Sequence, residues 1–334
     1  MSRRFPGLLL VAAMAAGALL AGGCEGLLSM GRSDTAADTT RAPGVPPPGE
    51  GLVTGTTGRS VAAVTEQLKS AIQASPATLV ADVNHAQNAS GDSLRPTRLL
   101  MFGNPALGTP LMQGVQTAGI DLPQKMLVWE GRDDSTRITY NVPAYLATRH
   151  DFEGVGGSLR QMGDALASLA EQAAGRVPDT SAFNADSIRA GAGLAIETSD
   201  FGPGKTYRRL REAVRSRPPL SVMAQMDHAQ NAPAGDSLRP TRLLVFGNPR
   251  AGTPLMRKAP TMGIDLPQKM LVWEGNEGNA FVAYNEPAYL ARRHQLADTT
   301  GLARPARTLD RLAQEAASNQ AEVQRRRDTT GMGY

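Results

Sequence analysis

The stretch GDSLRPTRLLMFGNPALGTPLMQ at residues 91–113 returns as GDSLRPTRLLVFGNPRAGTPLMR at residues 235–257, with 19 of 23 positions identical. A second stretch, GIDLPQKMLVWEG, stands unchanged at residues 119–131 and 263–275. A duplication of this length indicates two copies of one domain, so any site in one copy is expected in the other. The repeated stretches therefore predict two tandem copies of one domain.

The two copies have not diverged evenly. Residues 51–72 share only 5 of 22 positions with residues 193–214. That first segment keeps its apolar pattern, as packing requires, whereas the middle segment also keeps identical polar side chains. Identical polar residues point to special backbone geometry or to a site, and gene conversion over the middle segment is the alternative explanation.

The N-terminus has the features of an export signal. Arg3 and Arg4 precede a short apolar stretch at residues 8–20, and small residues lead to Cys24. This pattern resembles the bacterial lipoprotein lipobox, which implies cleavage after residue 23 and lipidation of Cys24. We expect a protein anchored by lipid in the cell envelope, on the periplasmic face of a bacterial membrane. An ordinary secretory signal is the alternative.

Composition excludes several classes of function. Cys24 is the only cysteine, so a lipidated chain has no thiol for catalysis, disulfides or thiolate metal sites. The formal net charge of +4 becomes +2 once Arg3 and Arg4 are removed. No basic stripe with interleaved aromatic residues occurs, so we expect no nucleic acid partner. We also expect no cofactor.

Composition and repeat boundaries divide the chain into six segments. They are a signal peptide (1–23), a Pro/Thr/Gly-rich tether (24–50), a first repeat domain (51–175), a linker (176–192), a second repeat domain (193–318) and a polar tail (319–334). The proline-rich tether is typical of an extended spacer.

Within each repeat, hydrophobic periodicity predicts the order β-α-β-β-β-β-α. Residues 125–130 and 136–141 are predicted as a hairpin across a polar turn. In the loop between the third and fourth strands, Thr109 is predicted to cap a short helix that begins at Pro110. Strands that follow one another without intervening helices indicate an α+β fold, a mainly antiparallel sheet with its long helices on one face.

A set of motifs carries a resemblance to a known family. They are DHA with NA at 227–232, RPTR at 239–242, FGNP at 246–249, GTP at 252–254, LVWE at 271–274, YN with Pro287 at 284–287, and RH at 293–294. In these motifs the chain resembles the bacterial family called domain of unknown function 302. The resemblance implies a compact β-α-β4-α domain of the TATA-binding-protein-like class, often paired into dimers, and it implies no reaction. The first copy departs from the DHA motif, because it has Asn84 where the second copy has Asp227.

The histidines are the first candidates for a site. His85 and His228 each follow a strand, and two interpretations stay open. Each is either a sheet-edge histidine bonded to backbone, or it lies in the first turn of a short helix and faces a cleft. His150 and His294 are predicted to end short helices, where a cation complements the helix dipole. No HExxH or similar spacing supports a metal site, and none is expected.

The Gly-Asn-Pro-x-x-Gly-Thr-Pro loop is the second candidate. It leads into a helix N-terminus that could hold an anion with help from Arg95 or Arg239, and turn chemistry is the alternative. The complete set of ligand-binding candidates is His85, Asn88, Arg95, Asn104, Thr109, Glu130 and His150 in the first copy, and His228, Asn231, Arg239, Asn248, Thr253, Glu274 and His294 in the second.

Three functional hypotheses follow. The first is a non-catalytic module in which one polar cleft per copy binds a small ligand or an envelope protein. The second is a hydrolase or metal-dependent enzyme, which requires His85 and His228 to converge with Glu130 and Glu274. The third is a structural tandem in which the two copies contact each other as an internal pseudo-dimer.

Overall fold

The computed structural model describes residues 50–89, 93–181 and 183–320. The predicted signal peptide, Cys24, the tether up to residue 49 and the tail beyond residue 320 lie outside the described residues. Among the described residues, no helix combines the length and the apolar character needed to cross a membrane.

The two repeats have their five strands and their helices in the same order, except that a short helix follows the second strand only in the first repeat; residues 228–231 of the second form a turn. The first repeat consists of β1 (Leu52–Thr57), α1 (Val61–Gln73), β2 (Thr78–Asn84), α2 (His85–Asn88), β3 (Thr97–Gly103), α3 (Pro105–Gly114), β4 (Gln124–Glu130), β5 (Thr136–Asn141), α4 (Pro143–His150) and α5 (Gly156–Ala174). The second consists of β6 (Leu194–Ser199), α6 (Pro203–Arg215), β7 (Ser221–Asp227), β8 (Thr241–Gly247), α7 (Pro249–Lys258), β9 (Gln268–Glu274), β10 (Ala280–Asn285), α8 (Pro287–Arg293) and α9 (Ala303–Ala317).

The strands of each repeat form one antiparallel sheet, in the order β1-β5-β4-β3-β2 and its equivalent β6-β10-β9-β8-β7. The predicted hairpin is confirmed, since β4 pairs with β5 from Met126 opposite Tyr140 to Glu130 opposite Thr136. The predicted α+β fold with two tandem domains is therefore confirmed.

The two long helices of each repeat cover one face of its sheet. In the first repeat, Val64 and Leu68 of α1 pack with Leu166 of α5 against Leu100 and Val128 of the sheet, and all five are almost completely buried. The apolar residues of α1 recur at helical spacing, which places them on one side. Each fully buried side chain of this kind contributes about 2 kcal/mol through removal of apolar surface from water.

The other face of each sheet packs against the other repeat. Side chains alternate along a strand, so Leu99 and Leu127 point away from the helices, into a layer that also contains Leu243 and Leu271 of the second repeat. Both faces of β3 are therefore buried, which explains its nearly unbroken apolar sequence. Both repeats belong to one compact unit.

The helix after β3 begins earlier than the sequence predicted. Asn104, not Thr109, is the N-cap, and its side chain accepts a hydrogen bond from the backbone N–H of Ala106 at 3.0 Å. Pro105 takes the first helical position, where the missing N–H costs nothing. Pro110 lies inside the helix. Its ring deprives Ala106 of a hydrogen-bond donor, but Ala106 is exposed, so water can reach the backbone there.

Candidate functional site

His85 and His228 join the two repeats. The Nε2 atom of His85 lies 3.0 Å from the carbonyl oxygen of Gly263, and that of His228 lies 3.1 Å from the carbonyl oxygen of Gly119. Burial lowers the pKa of each imidazole to about 4, so the neutral ring donates its N–H to the carbonyl. A Cβ atom at Gly119 would lie 2.9 Å from Leu271 Cδ1, which explains the glycine at this close approach.

Both interpretations of these histidines are partly right. Asn84 caps the turn that begins with His85, because its side chain accepts a hydrogen bond from the N–H of Gln87. The imidazole is nevertheless bonded to backbone, as the other interpretation expected. The bond goes to the opposite repeat, which neither interpretation included.

Two grooves lie where the repeats meet, related by the internal duplication. The first groove has a volume of about 480 Å³ and is formed by α3 and α5 of the first repeat, with His228 and Asn231 contributed by the second. The second groove has a volume of about 1190 Å³ and is formed by α7 and α9, with His85 and Asn88 contributed by the first repeat. The expectation that each copy forms a polar cleft by itself is wrong, because residues of both copies line each groove.

Eight of the fourteen candidate residues line these grooves. The first groove contains Asn104, Thr109, His228 and Asn231, and the second contains His85, Asn88, Asn248 and Thr253. The grooves are otherwise mostly apolar, with prolines, leucines and methionines in their walls. A concave, largely apolar surface with a few polar groups is typical of small-ligand sites.

Thr109 and Thr253 stand out within the grooves. Each is only 1 % exposed, and the Oγ1 atom of each is buried without a hydrogen-bond partner among the described residues. Gln124 adds a second polar atom in the first groove, because its Nε2 contacts Met162 Sδ at 2.9 Å while its Oε1 has no partner. Buried polar atoms without partners are uncommon in proteins and cost about 1–3 kcal/mol each.

Four candidates lie at the sheet ends, outside the grooves. Arg95 donates to Glu130 at 2.8 Å and also pairs with Asp134. Arg239 donates to Asn276 in the equivalent turn. These arginines are therefore engaged at the hairpins and do not supply charge to the helix N-termini. The proposed anion site in the Gly-Asn-Pro loop is not assembled, because the asparagine caps occupy backbone N–H groups there.

The enzyme hypothesis required histidines to meet Glu130 and Glu274, and this convergence is not found. Glu130 and Glu274 occupy the last positions of β4 and β9, and no contact joins either carboxylate to a histidine within the described ranges. No group of three or more His, Asp or Glu side chains suited to a metal ion occurs among the described residues.

His150 and His294 belong to a buried charged cluster between the repeats. His150 Nε2 lies 2.9 Å from Asp121 Oδ2 and its Nδ1 lies 3.1 Å from Thr117 Oγ1. Arg149 donates to the same Asp121 oxygen at 2.7 Å and to Asn285 of the other repeat at 2.6 Å. The second copy repeats this pattern: Arg293 bonds to Asp265 and to Asn141, and His294 bonds to Asp265 and Thr261.

Burial and charge shift the pKa values of this cluster. Burial alone would raise the pKa of Asp121, but Arg149 and its neighbours hold it well below the ordinary value. Burial lowers the pKa of His150 despite the hydrogen bond to Asp121, so the ring is neutral at pH 7. The predicted role of His150 and His294 as cations at helix ends is therefore wrong, because desolvation disfavours the imidazolium.

Equivalent residues of the two repeats also meet near the internal pseudo-twofold axis. The hydroxyl groups of Tyr145 and Tyr289 lie 2.8 Å apart. Lys125 Nζ lies 3.9 Å from Asp121 Oδ1 and 4.0 Å from Asp265 Oδ1. Burial, and to a smaller extent the positive charge of the nearby Lys269, lowers the pKa of Lys125 to about 7.

Apart from His150 and His294, the members of this cluster were not singled out from the sequence. Asp121 and Lys125 lie in the string GIDLPQK, which is identical at residues 119–125 and 263–269. That identity was the available signal, although neither residue belongs to a recognisable motif. Arg149, which stands beside His150 in the last turn of α4, was not among the candidates.

The chain belongs to the family described as Domain of unknown function DUF302. The family profile matches residues 53–172 and 195–317, one match in each repeat. The predicted membership and the tandem arrangement are confirmed.

Curated relatives share part of this sequence. Fluoride-specific ion channel FluC 1 of Brucella suis is 39% identical over 106 residues, which cover 31% of this chain and 41% of that protein. FluC 1 of Brucella abortus is 39% identical over 106 residues, covering 31% of this chain and 39% of that protein. The chain thus spans about two fifths of the length of these relatives.

A solved structure is also similar, the crystal structure of an uncharacterised conserved DUF302 protein from Bacillus stearothermophilus. It shows 15% sequence identity and a TM-score of 0.34, and the similarity covers 37% of this chain and 98% of that one.

Proposed function

We propose that this protein is a non-catalytic binding module that holds small ligands in the two grooves between its repeats. One observation carries the proposal: Thr109 and Thr253, at equivalent positions, line the two grooves, and the buried hydroxyl of each has no hydrogen-bond partner among the described residues. A ligand that bonds to these hydroxyls would remove the cost of leaving them unpaired. The same tripeptide Gly-Thr-Pro surrounds both threonines.

The first groove suits an uncharged, mostly apolar molecule. Its volume of about 480 Å³ falls within the range of small-ligand pockets, about 300–1,000 Å³. Leu107, Met112 and Leu166 contribute apolar surface, and the lining residues Thr109 and Gln124 each hold a buried oxygen without a partner among the described residues. A ligand with one polar end would satisfy them.

The first experiment measures saturable binding of the neutral fluorescent probe N-phenyl-1-naphthylamine to the full chain. Ala165 is exposed and lines the first groove, and Thr308 is its counterpart in the second. We expect Ala165→Trp to abolish binding by filling the first groove and the matched variant Thr308→Trp to leave it intact. Sodium fluoride, suggested by the names of the Brucella relatives, belongs in the same screen by thermal shift. Equal probe binding by the wild type and Ala165→Trp would refute the assignment of this groove.

A structural tandem is a second candidate, favoured by the pairs that join the repeats at Tyr145–Tyr289 and Arg149–Asn285. On this account the two copies act as an internal pseudo-dimer. A chain that ends at Gly175 would leave the apolar layer around Leu99 uncovered, and we expect it to self-associate or to unfold. A stable monomer in analytical ultracentrifugation would argue against this role.

We further propose that lipid on Cys24 anchors the protein in the cell envelope. The support is the sequence pattern alone, a short apolar stretch and small residues before a single cysteine. Expression in a bacterial host with radiolabelled palmitate tests it. We expect label in the wild type and none in Cys24→Ser. Equal label in both, or in neither, would contradict the proposal.

A further inference from the structure

We infer that the second groove binds a single-chain anionic amphiphile, a molecule with one apolar chain and a phosphate or carboxylate head. This inference rests on the proposed function and assigns a ligand class to one of its two sites. The two grooves, which the duplication otherwise makes equivalent, differ in charge.

The second groove is rimmed by guanidinium groups. Arg304, Arg307 and Arg311 come from α9, and Arg250 comes from α7 across the groove. All four are exposed. None of their side chains forms a hydrogen bond or ion pair with another residue in the described part of the chain.

The first groove lacks these charges. Alignment of the repeats places Ala106 opposite Arg250, and it places Gln161, Asp164 and Ser168 opposite the three arginines of α9. The two grooves therefore differ in charge, while the threonine and asparagine positions are the same in both.

The spacing of the arginines on α9 is itself informative. Arg304, Arg307 and Arg311 are three and four residues apart, so their side chains lie on one face of the helix. Like charges at this spacing destabilise a helix by a few tenths of a kcal/mol per pair. An anion bound among them removes this repulsion, and the guanidinium group is well suited to phosphate and carboxylate.

Acidic residues near the groove do not cancel this charge. Asp298 pairs with Lys258, and Glu315 pairs with Arg217, so each is matched by a cation of its own. The four unpaired arginines remain in excess.

The floor of the second groove is apolar. Phe246, Met256 and Leu309 line it, and the volume of about 1190 Å³ exceeds that of the first groove. Thr253 also lines this groove, and its buried hydroxyl has no partner among the described residues. A cationic rim over an apolar floor fits a molecule whose head pairs with arginine and whose chain is removed from water.

The test is calorimetric titration of the full chain with dodecyl phosphate below its critical micelle concentration, with dodecanoate, inorganic phosphate and dodecanol as comparison ligands. The triple variant Arg304→Gln, Arg307→Asp, Arg311→Ser gives the second groove the residues of the first. Because each exposed charge pair is worth roughly twofold in affinity, we expect the triple variant to bind dodecyl phosphate about tenfold more weakly. Binding by the wild type should also weaken as salt is added.

A reciprocal variant controls for damage to the fold. Gln161→Arg, Asp164→Arg, Ser168→Arg places the charges in the first groove, and we expect it to gain a second site for dodecyl phosphate. Dodecyl phosphate affinity that is unchanged in the α9 variant would overturn the inference. Inorganic phosphate that binds as tightly as dodecyl phosphate would overturn the assignment of an amphiphile.

The neutral probe distinguishes failure of this inference from failure of the proposed function. If N-phenyl-1-naphthylamine binds in the first groove but dodecyl phosphate is insensitive to the arginines, only the inference about the second groove fails. If neither probe binds, the proposed function fails with it.

Discussion

The buried histidines between the repeats predict a specific loss of stability in acid. The pKa of His85 and of His228 is lowered from 6.5 to about 4 by burial. The unfolded chain therefore binds more protons than the folded chain between these two values. By linkage, the free energy of unfolding is highest above pH 6.5 and falls as the pH drops through this window.

The magnitude follows from the two pKa values. Between pH 7 and pH 5, one such histidine costs about 2 kcal/mol, so the pair costs about 4 kcal/mol. His150 and His294 act in the same direction, because their pKa values are also lowered by burial. The carboxylates Asp121 and Asp265, whose pKa values are lowered, lose their contribution only below their ordinary pKa of 3.8, outside the range of this experiment.

The assay is urea unfolding at pH 7, 6 and 5, followed by tryptophan fluorescence, since Trp129 and Trp273 are both buried in the layer between the repeats. The double variant His85→Gln, His228→Gln keeps an amide donor for each glycine carbonyl and removes the titration. We expect the wild type to lose about 4 kcal/mol more than the variant between pH 7 and pH 5. Parallel loss in both proteins, or a wild type that becomes more stable in acid, would refute the assignment of neutral interface histidines.

Three further variants test the contacts between and within the repeats. Gly51→Ala should lower the free energy of unfolding by about 3 kcal/mol, because the glycine has φ +72 and a Cβ atom there would lie 2.2 Å from Tyr145 Cδ2. The measurement is thermal denaturation. The control is Gly58→Ala, whose added Cβ atom meets nothing within 4 Å and which should behave like the wild type. Asp121→Asn should cost about 3–5 kcal/mol in urea unfolding, because it leaves the buried Arg149 without its charge partner, and a loss under 1 kcal/mol would contradict this. Tyr145→Phe should cost about 1 kcal/mol by the same assay, from one lost hydrogen bond on the axis, and unchanged stability would show that this bond contributes nothing.

Much of the fold could be predicted from local patterns. The alternation along β4 and β5 and the polar turn between them were sufficient for the hairpin, and the stripe on α1 was sufficient for its buried face. The start of α3 was predicted wrongly because Pro110 looks like a first helical residue. The structure instead uses Pro105 for that position and accepts a proline inside the helix.

The candidate site could be predicted only in part. The polar residues that are identical in both repeats do include the groove residues Thr109 and Thr253. Sequence spacing within one repeat cannot reveal, however, that His228, which lies 119 residues after Thr109, completes the first groove. The partner of Arg95 could not be predicted from the sequence for a similar reason. Its partner Glu130 becomes a neighbour only when β3 and β4 pair.

The central claim, that the grooves between the repeats bind ligands, is tested most directly by NMR of the full chain labelled with ¹³C at the methionine methyl groups. Met112 and Met162 line the first groove and Met256 lines the second, while Met126 and Met270 are buried in the sheet cores. On titration we expect N-phenyl-1-naphthylamine to shift the first two signals, dodecyl phosphate to shift that of Met256, and the core signals to stay in place. Titrations that leave the signals of Met112, Met162 and Met256 unchanged would contradict the account.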